Sequence, residues 1–430
     1  MAKTGRNQPC PCGKTGPDGR RLKYKRCCGA IKAAPSPTGA DLRDALIRQH
    51  LARYKADELI RTQQQGRGKP IIALKTEHHQ LIAVKDRLHW GKWRTFADFL
   101  QDYIKKVLDP EWGNAEIAKA LEERHPTMQW YDAYCHFQRK HGFGQGEVKS
   151  APITGVVACY ILLAYNLYLI SHNVELQERL IARLKDRSNF QGAYYELMVA
   201  SVLIRAGFDL TLEDETSRHS KHCEFSAVSK TTGKKFWIEA KMKGLSGLLG
   251  KTDADGSKDP NPTSHLVTHL AGAMSKPAAD DRMIFVDLNA ALPAEYSFEN
   301  PPAFVEDSKK RMLRYAATNM PEGEKAYVFI TCTSFHRDLE NNARLVAFSY
   351  GLGIPDFNVD APMRVSERYR KDQRHPDAIA VGKSLIDYLV IPTTFDGGLP
   401  SDEHGANKSR VLIGSTYAFG EGDDAVVGTV

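Results

Sequence analysis

The chain opens on MAKTGRNQ, which has no apolar stretch of the kind that begins a secretory leader, so the reducing cytoplasm is the expected compartment. Cysteine is sparse: 8 in 430 residues, with no C-x-x-C pair. Redox chemistry of the usual dithiol kind is therefore not expected, and a chain this long can bury a core without disulfides. Cys135, Cys159, Cys223 and Cys332 stand singly and read as small buried hydrophobes. Long apolar runs are nearly absent too. The exception is ITGVVACYILLAYNLYLI, residues 153–170. Thr154, Gly155, Tyr160, Tyr165, Asn166 and Tyr168 interrupt it and no charge cluster closes it, so a buried core helix is expected and no membrane partner.

Excess charge is missing from most of the chain. The formal net charge is +7, yet residues 1–32 alone hold nine Lys and Arg against one Asp, or +8, which leaves −1 for the rest. The basic character belongs to a short segment. It suits a contact with phosphate backbones, or a solubilising arm. The overall balance, 42% hydrophobic and 26% charged, is that of a globular protein with more than one domain.

Residues 30–40, AIKAAPSPTGA, read as a linker by their Ala, Pro and Ser content. Residues 41–65 have helical character, and the runs IIAL and LIAV within 70–84 suggest a hairpin. Thr95 and Asp98 approximate a capping box ahead of Phe96, Phe99, Leu100, Tyr103, Ile104, Val107 and Leu108, one apolar stripe at helical spacing. Further helices are expected at 114–124, 126–140, 153–171 and 173–186. No catalytic constellation stands out in residues 41–186. From about residue 187 the pattern becomes helix, then strands at 208–212, 223–228 and 235–242, a helix near 263–277, a strand at 283–288, a helix at 305–318 and a strand at 326–332. That order predicts an α/β arrangement with a mixed sheet. The last 60 residues carry no legible role.

The densest chemistry lies in PCPCGKTGPDGRRLKYKRCCG, Pro9–Gly29. Cys10, Cys12, Cys27 and Cys28 form C-x-C, fourteen residues, then C-C. Four thiolates suit tetrahedral Zn²⁺. The segment resembles the SEC-C motif, the zinc-binding element named after the end of the SecA translocation ATPase. The opening GRNQPCPCG and the close KYKRCCG carry the resemblance across residues 5–29, with PDGRRL as an insert. It implies a structural zinc and docking to nucleic acid, a protein or the ribosome. Arg20, Arg21, Lys23, Lys25 and Arg26 are the expected phosphate contacts.

In KKFWIEAKMKG, alternation puts Phe236, Ile238, Ala240 and Met242 on one face of a strand. Trp237, Glu239, Lys241 and Lys243 share the other. The turn SKTTGK makes a hairpin with the preceding strand and brings Glu224 toward Glu239. Two close carboxylates call for a cation, and Mg²⁺ prefers such oxygens. Glu196 is the only charge in QGAYYELMVASVLI, so it faces an edge or a polar site. A helix acid followed by E-x14-E-x-K on a hairpin resembles the PD-(D/E)xK nuclease superfamily over about residues 187–290. The resemblance implies a restriction-endonuclease-like αβββαβ mixed-sheet domain. It implies Glu196, Glu224, Glu239 and Lys241 as catalytic residues, and Glu224, Glu239 and Ala240 as the site of Mg²⁺ or Mn²⁺. Cys223-Glu224 stands where Pro-Asp is common.

The expected chain is thus an α+β/α/β multidomain protein: a zinc knuckle (1–32), a linker (33–40), a mostly helical domain (41–186), and a nuclease-like domain with a C-terminal extension (187–430). The expected activity is metal-dependent hydrolysis of nucleic acid, with DNA favoured, and the superfamily implies defence or repair. Two rivals stay open: a non-catalytic nucleic-acid- or ribosome-associated protein, and a SecA-like zinc adaptor.

Overall fold

A computed structural model describes residues 5–29, 39–142, 148, 151–174, 177–212, 225–244, 249, 261–297, 299–358, 365–395, 416–419 and 426–429. The chain divides into two compact units, Met1–Ala56 with Val411–Val430, and Asp57–Arg410. Helix α1 (Gly39–Gln65) runs from the first into the second.

In the larger unit, β1 (Ile72–Lys75), β2 (Gln80–Val84) and β3 (Arg87–Gly91) make an antiparallel sheet in that order. The expected hairpin is there, with a third strand added. Next come α2 (Phe96–Val107), α3 (Pro110–Ile117), α4 (Pro126–Lys140), α5 (Gly155–Asn173), α6 (Glu178–Lys185) and α7 (Phe190–Ala206). The α2 capping box closes as its sequence predicts: Asp98 N–H donates to Thr95 Oγ1 (3.2 Å), and Thr95 N–H donates to Asp98 Oδ2 (2.9 Å). The helix expected at 114–124 instead starts at Pro110, because Asp109 Oδ1 caps Glu111 N–H (2.9 Å) and proline suits the first turn.

A six-stranded sheet follows in the order β4 (Phe208–Leu212), β5 (Phe225–Ser229), β6 (Lys235–Met242), β7 (Asp281–Asp287), β8 (Ala326–Cys332), β9 (Val346–Leu352). Strands β4 to β6 are antiparallel, β6 to β8 are parallel, and β9 is antiparallel to β8. The parallel steps need crossovers, supplied by α8 (Leu266–Met274) and α9 (Ala303–Thr318). Helices α10 (Val365–Arg374) and α11 (Pro376–Ile386) complete the unit.

The two faces of the sheet have different cover. Phe236, Ile238, Met283, Phe285 and Phe329 pack into the core formed with α5, α7 and α11. Ile284, Val286, Val328 and Ile330 pack against α8 and α9. By length and composition α5 could cross a membrane, but 89% of its most apolar window is buried inside the protein. It lies in the same core as α7, so the core runs unbroken past residue 186. Polar ties reinforce this. Asn166 Nδ2 donates to the Tyr388 hydroxyl (2.8 Å), and the buried Arg205 guanidinium donates to the carbonyls of Tyr388 (3.0 Å) and Asp387 (2.7 Å). Gly207, at φ +96°, ends α7 and lets the chain turn into β4. In the smaller unit, β10 (Thr416–Phe419) and β11 (Val426–Thr429) pair antiparallel.

A shared core implies shared unfolding. Phe96 is fully buried, with ring centroids 5.2 Å from Tyr168 and 5.9 Å from Phe395. Phe96→Ala should cost about 3–5 kcal/mol. Urea melts followed by far-ultraviolet dichroism and by tryptophan fluorescence should shift together. A sheet transition left unmoved while the helical signal shifts would contradict a single core.

Candidate functional site

The cysteine segment folds as a short ribbon. Cys10 N–H donates to Leu22 O (2.8 Å), Leu22 N–H to Lys14 O (2.9 Å) and Tyr24 N–H to Gln8 O (2.8 Å). Past Cys10 the chain turns at Gly13, whose φ of +76° suits glycine. A 3-10 turn at Tyr24–Arg26 delivers Cys27 and Cys28. Gly29 is required here: a Cβ would lie 2.4 Å from the Tyr24 ring. The insert PDGRRL builds the ribbon's far end, closed by Gly16 N–H to Arg20 O (2.8 Å), so it lengthens the loop without displacing a cysteine.

The four ligand sulfurs lie within 4.8 Å of one another. Cys12 Sγ is 3.3 Å from Cys10 Sγ and 3.2 Å from Cys27 Sγ, well beyond the ~2.05 Å of a disulfide. Tetrahedral zinc with bonds of about 2.3 Å sets sulfurs about 3.8 Å apart, so the cluster could hold one metal ion and is compatible with structural zinc. The Cys12 main-chain N–H, aided by that of Cys28, draws the Cys10 pKa down to about 6. Hydrogen bonds with the Cys12, Cys10 and Cys27 sulfurs push Cys28 up to about 12. A thiol of lowered pKa among crowded sulfurs suits a cation. Arg20, Arg21, Lys23, Lys25 and Arg26 are all exposed, and none forms an ion pair among the described residues.

The second cluster lies on β6. Its faces are as alternation predicts, and Glu239 points to the side covered by α8 and α9, where its register partner is Ile284. Its carboxylate is 1% exposed. Lys241 Nζ is 3.0 Å from Oε2. A residue with no local sequence signal joins it: Lys276, just past α8, places Nζ 2.7 Å from Oε1 and 3.0 Å from Oε2. Despite that short approach, Oε1 accepts no hydrogen bond of good geometry. Lys243 is 3% exposed and donates to Asn261 O (2.6 Å). His269 on α8 is held near pKa 4 by burial, with the charges of His265, Lys241 and Lys243 adding to the effect, and its Nε2 is buried without a partner. The expected pairing with β5 runs up to Phe225↔Ile238, while β6 continues through Met242 beside β7.

Glu224 lies outside the described residues. Ala240 sits between Glu239 and Lys241 on β6, opposite Phe285 of β7. Glu196 is placed apart. It belongs to α7, on the other face of the sheet, and Arg183 takes both its oxygens at 2.7 and 2.6 Å. A lone acid in an apolar helix needs a partner, and α6 supplies one. Sequence reasoning also passed over Asp287. Fully buried at the end of β7, it accepts from Thr331 Oγ1 (2.8 Å), Thr333 N–H (3.0 Å), Thr333 Oγ1 (2.8 Å) and Asn289 N–H (2.7 Å). Burial raises its pKa against the pull of those bonds. With both of its oxygens accepting, it ties β7 to β8 and has no visible chemical task.

Comparison with family models, with curated proteins and with solved structures finds no match to this chain.

The ribbon makes a direct expectation. Protein purified without chelator should hold one zinc per chain, and Cys10→Ser with Cys12→Ser should lose it. Structural zinc in such peptides contributes about 10–16 kcal/mol of apparent binding energy, so the metal-free ribbon should unfold. Elemental analysis showing no zinc in the wild-type protein would refute the assignment.

Proposed function

We propose that the chain is a metal-dependent phosphodiester hydrolase acting on nucleic acid, DNA foremost, with the cysteine ribbon as its docking element. One observation carries the reading. On β6, Glu239 and Lys241 share a face, with the lysine Nζ 3.0 Å from Oε2 of a buried carboxylate. The order α7-β4-β5-β6-α8-β7 is also that of the PD-(D/E)xK nucleases, which the sequence resembles.

The buried Oε1 of Glu239, lacking a well-formed hydrogen bond, fits a cation ligand. Glu239, Glu224 and Ala240 would hold Mg²⁺ or Mn²⁺, which when bound activates water and neutralises phosphate charge. Lys276 holds the carboxylate in the meantime, because a buried carboxylate needs a counter-charge. Lys241 then meets the phosphate or orients the water. Lys243 adds positive charge for a polyanion. In this reading Glu196, held by Arg183, takes a structural part. The ribbon's exposed cations supply phosphate contacts that carry affinity rather than sequence reading.

The non-catalytic reading has its own support. The exposed Arg20, Arg21, Lys23, Lys25 and Arg26 of the ribbon suit phosphate binding that needs no catalysis.

Cleavage of plasmid and single-stranded substrates with Mg²⁺ or Mn²⁺, run beside melting curves, separates the two. Glu239→Ala should lose both cleavage and the metal-induced rise in melting temperature. Lys241→Ala should lose cleavage and keep the rise. Lys276→Met should enlarge the rise, since a competing charge is gone. Full cleavage by the first two variants would exclude this site. A wild type with neither cleavage nor a metal-induced shift would leave the binding reading.

For the ribbon, changing Arg20, Arg21, Lys23, Lys25 and Arg26 to Gln should weaken duplex binding. For each phosphate that is no longer neutralised, the slope of log K against log salt should fall by about 0.9. Binding unchanged at low salt would point to a protein partner instead.

A further inference from the structure

A second basic site lies away from the six-stranded sheet. A cavity of about 340 Å³ opens between the β2–β3 turn, α2, α5 and α6. Arg87 and Lys106 lie in its lining, beside Lys85 and Asp86 of the turn. Arg87 and Lys106 pair with no carboxylate among the described residues. Like charges gathered in a concave site repel, and the field they focus there favours an anion.

The cradle is held in shape before any ligand arrives. Lys85 has φ +55°, the left-handed region that L residues seldom adopt. Its N–H donates to His172 Nδ1 (3.2 Å), and Nε2 of the same ring donates to Pro70 O (2.9 Å). The buried His172 is thereby a neutral imidazole that pins the turn onto α5. Lys106 lies 5.7 Å from the centre of the Trp93 ring, whose Nε1 donates to Asp102 Oδ2 (2.7 Å). The lining also supplies the hydroxyls of Tyr103 and Ser171, the latter donating to Leu167 O (2.8 Å). His89 lies in the same lining, and its pKa is lowered first by burial and then by the charges of Lys106 and Arg87.

We propose that this cavity binds a phosphate-bearing ligand of nucleotide size, gripped by Arg87 and Lys106 over the Lys85 turn. Its volume is within the range of small-molecule sites, and a guanidinium beside an ammonium is the usual chemistry for phosphate. The phosphate could belong to a free nucleotide or to the end of a strand. The site shares no residue with the Glu239 cluster, so it stands whether or not that cluster cleaves.

The test is calorimetry on the full chain in magnesium-free buffer. The probes are inorganic pyrophosphate, ATP, a 5′-phosphorylated oligonucleotide and its unphosphorylated counterpart. Arg87→Gln and Lys106→Gln, both at exposed positions, should each weaken binding about tenfold, as loss of a charged hydrogen bond does. Pyrophosphate and ATP bound, and weakened by both variants, identifies a free phosphoanion. Only the phosphorylated oligonucleotide bound, and weakened by both, identifies a strand end. No binding of any probe at millimolar concentration, or binding that both variants leave unchanged, overturns the proposal.

Discussion

Helix α7 is buried on nearly every side, and the rest of the larger unit is arranged to keep it so. A helix whose residues from Phe190 to Ala206 are apolar almost all round cannot meet water, so it must be covered on every flank. The sheet covers one flank through Phe236 and Phe208, and α5 covers another. Residues near the C-terminal end of the unit return to close the gap with α11 and Tyr388. The two charges on the helix then have fixed answers. Glu196 takes Arg183, and Arg205 takes the carbonyls that follow α11. This constraint joins the helical and α/β segments into one body.

The same layering sets the chemistry on the opposite face. Because α7 claims Phe236, Ile238 and Ala240, the alternate residues of β6 must face α8 and α9. Glu239 is therefore buried with charge, and the molecule meets the cost with two ammonium groups rather than with apolar packing. Such an arrangement is weak evidence for stability and stronger evidence for a task. The buried oxygen without a well-formed hydrogen bond and the imidazole nitrogen without a partner are both in this one region. The cysteine ribbon solves a different problem. It has too few residues for a core, and four sulfurs close enough to hold one metal ion offer a substitute for one.

Local patterns were legible, and pairings across long separations were not. The bounds of β6 and β8, the Thr95 cap and both faces of β6 could be read from alternation, capping chemistry and turn residues. So could the four cysteines. Strand β3 was missed because RLHWG turns Leu88 and Trp90 to solvent, which inverts the usual signal. Strand β9 and helix α11 were not read from the sequence, and their place comes from pairing with β8 and packing on α7. Lys276 meets Glu239 across 37 residues, with nothing local to announce it. Glu196 was read as a charge in search of a polar site. Its partner, Arg183, lies 13 residues earlier, on a helix whose direction no local pattern gives.

The account rests most heavily on Glu239 as a ligand for a divalent cation, with Lys276 as its stand-in. Anomalous diffraction from crystals grown with Mn²⁺ addresses it directly. The account predicts a manganese peak at bonding distance from Glu239, about 2.0–2.2 Å, with the Lys276 ammonium moved off Oε1. Crystals in saturating Mn²⁺ that show no peak there, with Lys276 still on both carboxylate oxygens, would contradict it.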